Sequence, residues 1–212
     1  MTPRGRDAET TLAPHAQDQL HHQTRPPPTP LAVPRLQRNA RRKDGRGAFA
    51  APRLKTEDVD DATLAAVLSA LGLTSGQVLA SQWLDNGPRW LGLLLDTPQT
   101  VLALEPDHQA LKALPKVGVV APYPAGGECQ FEVRAFAASI GVPEDPVTGS
   151  LNASIAQWLI GSGRAPDRYV AAQGTRLGRA GRVSIEREIT AEGAVIWVGG
   201  GSVSCVRGQV VL

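Results

Sequence analysis

The chain is predicted to fold as an α+β protein in which a mixed β-sheet curls into a barrel around one central helix. Three observations predict this. Leu151-Asn-Ala-Ser-Ile-Ala-Gln-Trp-Leu-Ile160 carries too many apolar residues for a single stripe, and a short helix that is apolar nearly all round is a buried one. Short β-prone segments precede and follow it, which supplies the shell that such a helix needs. Composition then changes abruptly near residues 45–56. Up to Lys55 there are eleven Lys/Arg against four Asp/Glu, and beyond it eleven against sixteen.

Residues 1–43 are expected to form a disordered, basic, Pro-rich arm. Pro26-Pro-Pro-Thr-Pro30 and Pro34 forbid regular structure, and the stretch from Arg35 to Arg42 is polar and basic. His21 and His22 have no partner cluster, so no metal site is expected there. The arm lacks interleaved aromatics and any nucleic-acid module, which ranks binding to phosphates last among the functions considered. From Asp44 to Pro52 the residues read as a hairpin turn and a strand that leads into the folded part.

The next segments follow periodicity and punctuation. Asp60 and Asp61 begin a helix in which Leu64, Val67, Leu68 and Leu71 recur at helical spacing, and Gly72 stops it. Strands are expected over 78–84 and 90–95 around the turn Asp85-Asn-Gly-Pro88. A short strand follows at 101–104, then a helix from Asp107 carrying Leu111 and Leu114. Strands return at 117–121 and 130–136. After the central helix, which Gly161 and Gly163 end, strands are expected at 169–173, 183–188, 194–198, 202–206 and 209–212. Gly199-Gly-Gly-Ser202 lacks the Gly-Lys-Ser/Thr of a phosphate loop and reads as a turn.

The chemistry concentrates in Glu144-Asp-Pro-Val-Thr-Gly-Ser150. Pro146 biases Asp145 away from the α region, so its carboxylate sits on an extended elbow. Thr148 or Ser150 can cap the helix, and Gly149 permits close backbone approach. The free N–H groups of the first turn face the same space as Asp145, an arrangement suited to an anionic substrate.

This motif resembles that of the phenazine-biosynthesis isomerase family (PhzF-like), which shares the diaminopimelate epimerase fold. The resemblance also includes Val133-Arg-Ala-Phe136, Ile140-Gly-Val142, Asp85-Asn-Gly-Pro-Arg-Trp90 and Gln173-Gly-Thr-Arg-Leu-Gly-Arg179, and runs from about Asp44 to Leu212. Ala138 stands where the family often has Pro. The resemblance implies that residues 44–55 are a strand remnant of an N-terminal lobe and that 56–212 form a C-terminal epimerase-like lobe. It further implies a proton transfer on a small acidic substrate without a cofactor. Asp145 is then the catalytic residue, and Thr148, Gly149 and Ser150 bind the substrate.

The family's catalytic glutamate lies in an Asn-x-Ser-Glu-type segment, with a Gly-His-Pro segment nearby, and neither occurs here. The chain is therefore expected to be truncated, and weak or inactive alone. The alternative is a noncatalytic remnant that binds small acids or dimerises. Whether residues 1–43 are natural or come from a displaced reading frame stays open, and the abrupt change in composition favours the second. Diaminopimelate epimerases use paired thiols, one on a Cys-Gly-Thr-Gly-like turn, but the matching slot reads Asp145-Pro-Val-Thr-Gly149. Cys129 and Cys205 are expected in strands as buried structural thiols. Arg176 and Arg179 read as solvated loop residues, Asn86 as a turn residue and His108 as a surface residue. No stretch of eighteen apolar residues, secretory signal or disulfide framework is present, so the expected location is the cytoplasm, with no membrane partner.

Overall fold

Strands and helices alternate along the chain, and two of the helical passages serve as crossovers between parallel strands. The computed structural model describes residues 39–41, 46–191, 193–203, 205–206 and 208–209. The elements are β1 (Asn39–Arg41), β2 (Gly47–Ala50), β3 (Lys55–Glu57), α1 (Asp61–Leu71), β4 (Val78–Asp85), β5 (Arg89–Leu95), α2 (Pro98–Ala103), α3 (His108–Leu111), β6 (Val117–Pro122), β7 (Phe131–Ala137), β8 (Val142–Asp145), α4 (Gly149–Gly161), β9 (Arg168–Gln173), β10 (Gly181–Thr190) and β11 (Gly193–Gly200). The arm expected over 1–43 lies outside the described residues except for 39–41, which pair with β2.

One mixed sheet runs in the order β1-β2-β11-β10-β9-β7-β6-β5-β4-β3, with β8 paired to β7 beside this path. The pairs β5–β6 and β7–β9 are parallel, and parallel neighbours need a long crossover. The first crossover carries α2 and α3; the second carries β8 and α4. Alternation sends the strand residues to two separate cores. Trp90, Leu94, Val120, Val133 and Ala135 pack with α4, whereas Leu91, Leu93, Leu95, Val117, Val119 and Phe136 pack with α1, α2 and α3.

The apolar character of α4 is explained by its place in the first core. Leu151, Ala153, Ile155, Ala156, Trp158, Leu159 and Ile160 are all buried. Two glycines let the helix approach the sheet. A Cβ at Gly118 would lie 2.3 Å from Leu151 Cδ1, and one at Gly92 would lie 2.6 Å from Leu84 Cδ1 and 3.3 Å from the Trp158 ring.

The sheet curls but is not a closed barrel, which corrects the sequence expectation. Its end strands, β1 and β3, do not pair with each other. Between β2 and β3 the chain passes Pro52, which has no N–H to give to a ladder. Gln157 of α4 meets the backbone there instead: its Nε2 donates to Pro52 O (2.9 Å) and its Oε1 accepts from Leu54 N (3.2 Å). A helix side chain thus takes the bonds that a closing strand would have made.

Several local expectations also change. Residues 101–104, read as a strand, fall in and just after α2, whose N-cap Thr97 accepts from Thr100 N (3.1 Å) and whose first residue is Pro98. Residues 202, 203, 205 and 206 form no strand, and Val203 and Val206 are 87% and 89% exposed. Gln209 is likewise not in a strand, and residues 210–212 lie outside the described residues. Gly199 and Gly200 continue β11 rather than turning, and pair with Ala48 and Gly47. The helix expected from Asp107 is the short α3, capped by Asp107, and Leu114 lies beyond it.

Candidate active site

Asp145 ends β8, where it pairs with Ala135 of β7, so its backbone is extended as Pro146 requires. Three residues later the chain turns into α4. Thr148 is the N-cap by backbone geometry but makes no side-chain cap. Its hydroxyl points back instead, donating to Asp145 Oδ2 (2.7 Å). The Asp145 carboxylate is therefore anchored at one oxygen beside the helix tip.

Gln173, at the end of β9, ties this turn together. It has no exposed surface. Its Oε1 accepts from Thr148 N (3.0 Å) and Asn152 Nδ2 (2.7 Å), while its Nε2 donates to Asp145 O (2.8 Å) and Thr148 Oγ1 (3.0 Å). Asn152 also donates to Thr148 O (2.9 Å). Every hydrogen-bonding position of the Gln173 amide is used, which fixes its orientation.

A second anchor is charged. Arg134 of β7 makes a bidentate pair with Glu144, Nε to Oε1 at 2.9 Å and Nη2 to Oε2 at 2.8 Å. Its Nη1 donates to Val101 O (3.0 Å) and Leu104 O (2.8 Å) at the end of α2. Both side chains are buried, and the planar guanidinium is satisfied on all sides. Glu144 precedes Asp145 directly, so this pair holds β8 from the face opposite α4.

The other expected site residues surround the α4 tip. Ser150 Oγ accepts from Trp90 Nε1 (3.3 Å), and Ser150 O accepts from Asn86 Nδ2 (3.0 Å). Asn86 is thus a buried tie from the β4–β5 turn to the helix, not only a turn residue. A Cβ at Gly149 would meet the Phe49 ring at 3.2 Å, so glycine here lets that β2 ring lie close against the helix tip. The N–H groups of Gly149, Ser150 and Leu151 have no acceptor among the described residues, which leaves the positive end of α4 available to an anion. An open cleft of about 1160 Å³ adjoins this tip, bounded by Phe49, Val147, Gly149, Gly181 and Val198. Asp145 does not line that cleft.

Thr148 is 7% exposed, so the structure places it behind the Asp145 carboxylate as its hydrogen-bond donor. Gln173, Asn152 and the Arg134–Glu144 pair acquire their positions through long-range pairing, which the local motif did not reveal. Lys116 lies 4.9 Å from the Trp90 ring, and its burial lowers its pKa from the ordinary lysine value. Arg176 pairs with exposed Glu105 (2.7 Å). His108, expected at the surface, is half-buried with its ring 6.2 Å from that of Phe136. Cys129 is buried as expected, whereas Cys205 is exposed. Among the described residues no group of three or more His, Cys, Asp or Glu could hold a metal ion, and no helix is long and apolar enough to cross a membrane.

The sequence profile of the phenazine biosynthesis-like proteins, PhzC-PhzF, matches residues 8–208 and so reaches into the stretch set apart by composition. Antisense-enhancing sequence 1 of Schizosaccharomyces pombe is 29% identical over 172 residues, 76% of this chain and 58% of that protein. Trans-2,3-dihydro-3-hydroxyanthranilate isomerase of Pseudomonas aeruginosa is 30% identical over 151 residues, 70% of this chain and 53% of that protein. The chain thus spans little more than half the length of either relative. A solved PhzF-family phenazine biosynthesis protein of Bacillus anthracis shares the fold at a TM-score of 0.65 and 14% identity, covering 77% of this chain and 60% of that one. With a profile match over nearly its whole length, the chain belongs to the PhzC-PhzF family of phenazine biosynthesis-like proteins.

Proposed function

We propose that this chain supplies the carboxylate half of a cofactor-independent isomerase or epimerase that moves a proton on a small acidic substrate. One observation carries the reading: Asp145 is held by Thr148 beside a helix tip with free N–H groups. The tip binds the substrate's carboxylate through Gly149 and Ser150, and Asp145 assists proton transfer as a general acid or base. A glutamate on an opposing lobe is the expected shuttle, so the 212-residue chain alone is weak or inactive. The related isomerase from Pseudomonas aeruginosa names a suitable substrate class, a dihydro-hydroxyanthranilate.

The test follows solvent-deuterium incorporation into such a cyclic diene acid, for the chain and for Asp145→Asn. The expected result is a low rate that falls by a further ~10²–10⁴-fold in the variant. A rate that the variant leaves unchanged removes Asp145 from the chemistry. Turnover at an ordinary enzymatic rate overturns the need for a second lobe.

A noncatalytic, small-acid-binding or dimerising chain is the second reading. It is favoured by Val147, 47% exposed and two residues from Asp145. Calorimetric binding of the acid without any deuterium exchange supports it, as does a homodimer by sedimentation that Val147→Ser disperses.

A further inference from the structure

The turn into α4 holds a run of hydrogen bonds in which the direction of every hydrogen is fixed. It starts from backbone groups, which cannot exchange the roles of donor and acceptor. Thr148 N donates to Gln173 Oε1 (3.0 Å) and Asp145 O accepts from Gln173 Nε2 (2.8 Å), so the amide stands only one way round. Asn152 agrees with that orientation, because its Nδ2 donates both to Thr148 O (2.9 Å) and to Gln173 Oε1 (2.7 Å). The second hydrogen on Gln173 Nε2 then goes to Thr148 Oγ1 (3.0 Å).

Thr148 is buried, and its hydroxyl hydrogen has one acceptor among the described residues, Asp145 Oδ2 at 2.7 Å. A proton on Oδ2 would turn this bond round. The Thr148 hydrogen would then be stranded in the interior, where an unpaired donor is costly. The other carboxylate oxygen is in a different position. Asp145 Oδ1 has no hydrogen-bond partner among the described residues, yet it is not a buried unpaired atom, so it keeps contact with solvent.

We propose that Asp145 enters the reaction as a carboxylate base and exchanges protons through Oδ1 alone, with Thr148 as the positioning residue that reserves Oδ2. This rests on the reading of Asp145 as the group that assists proton transfer, and it decides which role comes first. A proton leaves the substrate and bonds to Oδ1, while the electron pair it leaves behind stays on the substrate. The return step gives a proton back from the same oxygen. Gln173 acts one bond further away, by directing the Thr148 hydroxyl. A carboxylate held at one oxygen presents the other in a set orientation, which is what a general base requires.

Deuterium incorporation into the cyclic diene acid by the full chain is compared for Thr148→Val, Thr148→Ser and Asp145→Asn, with amide NMR spectra to verify each fold. Thr148→Val is expected to lower the maximal rate by about tenfold and to leave KM within about twofold. Thr148→Ser, which keeps the hydroxyl, should restore most of that loss. Should Thr148→Val not fold, Thr148→Ala removes the same hydroxyl. A full rate in Thr148→Val beside a lowered one in Asp145→Asn overturns this proposal and leaves the function above standing. So does a loss that serine fails to restore, or one that falls on KM alone. No effect of Asp145→Asn overturns both. Neutron diffraction from crystals in D2O decides where the parent chain incorporates no deuterium: the deuterium between Thr148 and Asp145 should lie on Oγ1, and one bonded to Oδ2 overturns the proposal.

Discussion

Gln173 and Glu132 sit on neighbouring strand systems, both without exposed surface, and they solve the same problem in opposite ways. Gln173 has two donors and two acceptor positions, and the α4 turn takes all four. Glu132 receives a close hydrogen bond from Tyr123 at Oε2, with Thr175 as a further donor bearing on the carboxylate, and Oε1 has no close partner. The first side chain is a piece of construction, because a saturated buried amide specifies one arrangement of the segments around it. The second retains unspent capacity for interaction. A saturated buried group thus fixes the segments around it, whereas an incompletely matched one specifies its surroundings less tightly.

The sharpest way to break the contrast is to turn a saturated cluster into an unsaturated one. Glu144→Ala strands the Arg134 guanidinium in the interior, and should cost about 3–5 kcal/mol by urea unfolding. The paired replacement Arg134→Met with Glu144→Leu should recover much of that loss, since an apolar pair strands no charge. Gln173→Leu follows in size. It removes the acceptor of Thr148 N, one of the two acceptors of Asn152 Nδ2 and the donor to Asp145 O, for an expected loss of about 2–4 kcal/mol in the same measurement. If that loss were negligible, the amide would not be the organiser of the α4 turn.

The outer cluster should respond less. Tyr123→Phe removes the close hydrogen bond to Glu132 Oε2 and should cost about 1–2 kcal/mol at neutral pH. Burial together with Glu132 pushes the Tyr123 phenol up to about 12, so it remains a donor throughout that range. Glu132→Gln tests charge alone. Burial raises the Glu132 pKa above the ordinary 4.5, so the folded state holds the proton more tightly than the unfolded chain. Stability should then fall as pH rises from 4.5 through the raised value, and be unaffected by this group below that window. Replacing Glu132 by Gln should flatten this slope, with a net change within about 1 kcal/mol. Unfolding curves across pH check it, and an unaltered slope would mean that Glu132 ionises freely.

Much of the architecture is legible in the order of residues because it depends on local rules. The all-round apolar pattern from Leu151 to Ile160 reports a helix inside a sheet whatever the rest of the chain does. Asp60 and Gly72 bound α1 as capping chemistry requires. Val101-Leu-Ala-Leu104 misleads because a short apolar run fits a strand or a buried helical turn equally well, although Thr97 and Pro98 signal a helix start. Val203 and Val206 mislead for another reason: β-prone residues make a strand only where a partner edge receives them.

At the candidate site, Asp145, Thr148, Gly149 and Ser150 are adjacent in sequence and so could be recognised together. Gln173 reaches the turn only because β9 lies parallel to β7, a relation set by tertiary pairing. The same holds for Arg134, whose clamp on Glu144 crosses the irregular β7–β8 pairing. Barrel closure failed as an expectation for a similar reason, since nothing local shows whether the first and last strands of a curl will meet.

The contact between Gly118 and Leu151 has an evolutionary corollary. Because a methyl group at 118 would land 2.3 Å from a leucine carbon, the two positions share one fixed volume. Homologues that acquire a side chain at the first should have surrendered bulk at the second, and directed evolution of the α4 entrance will stall unless both codons are varied together.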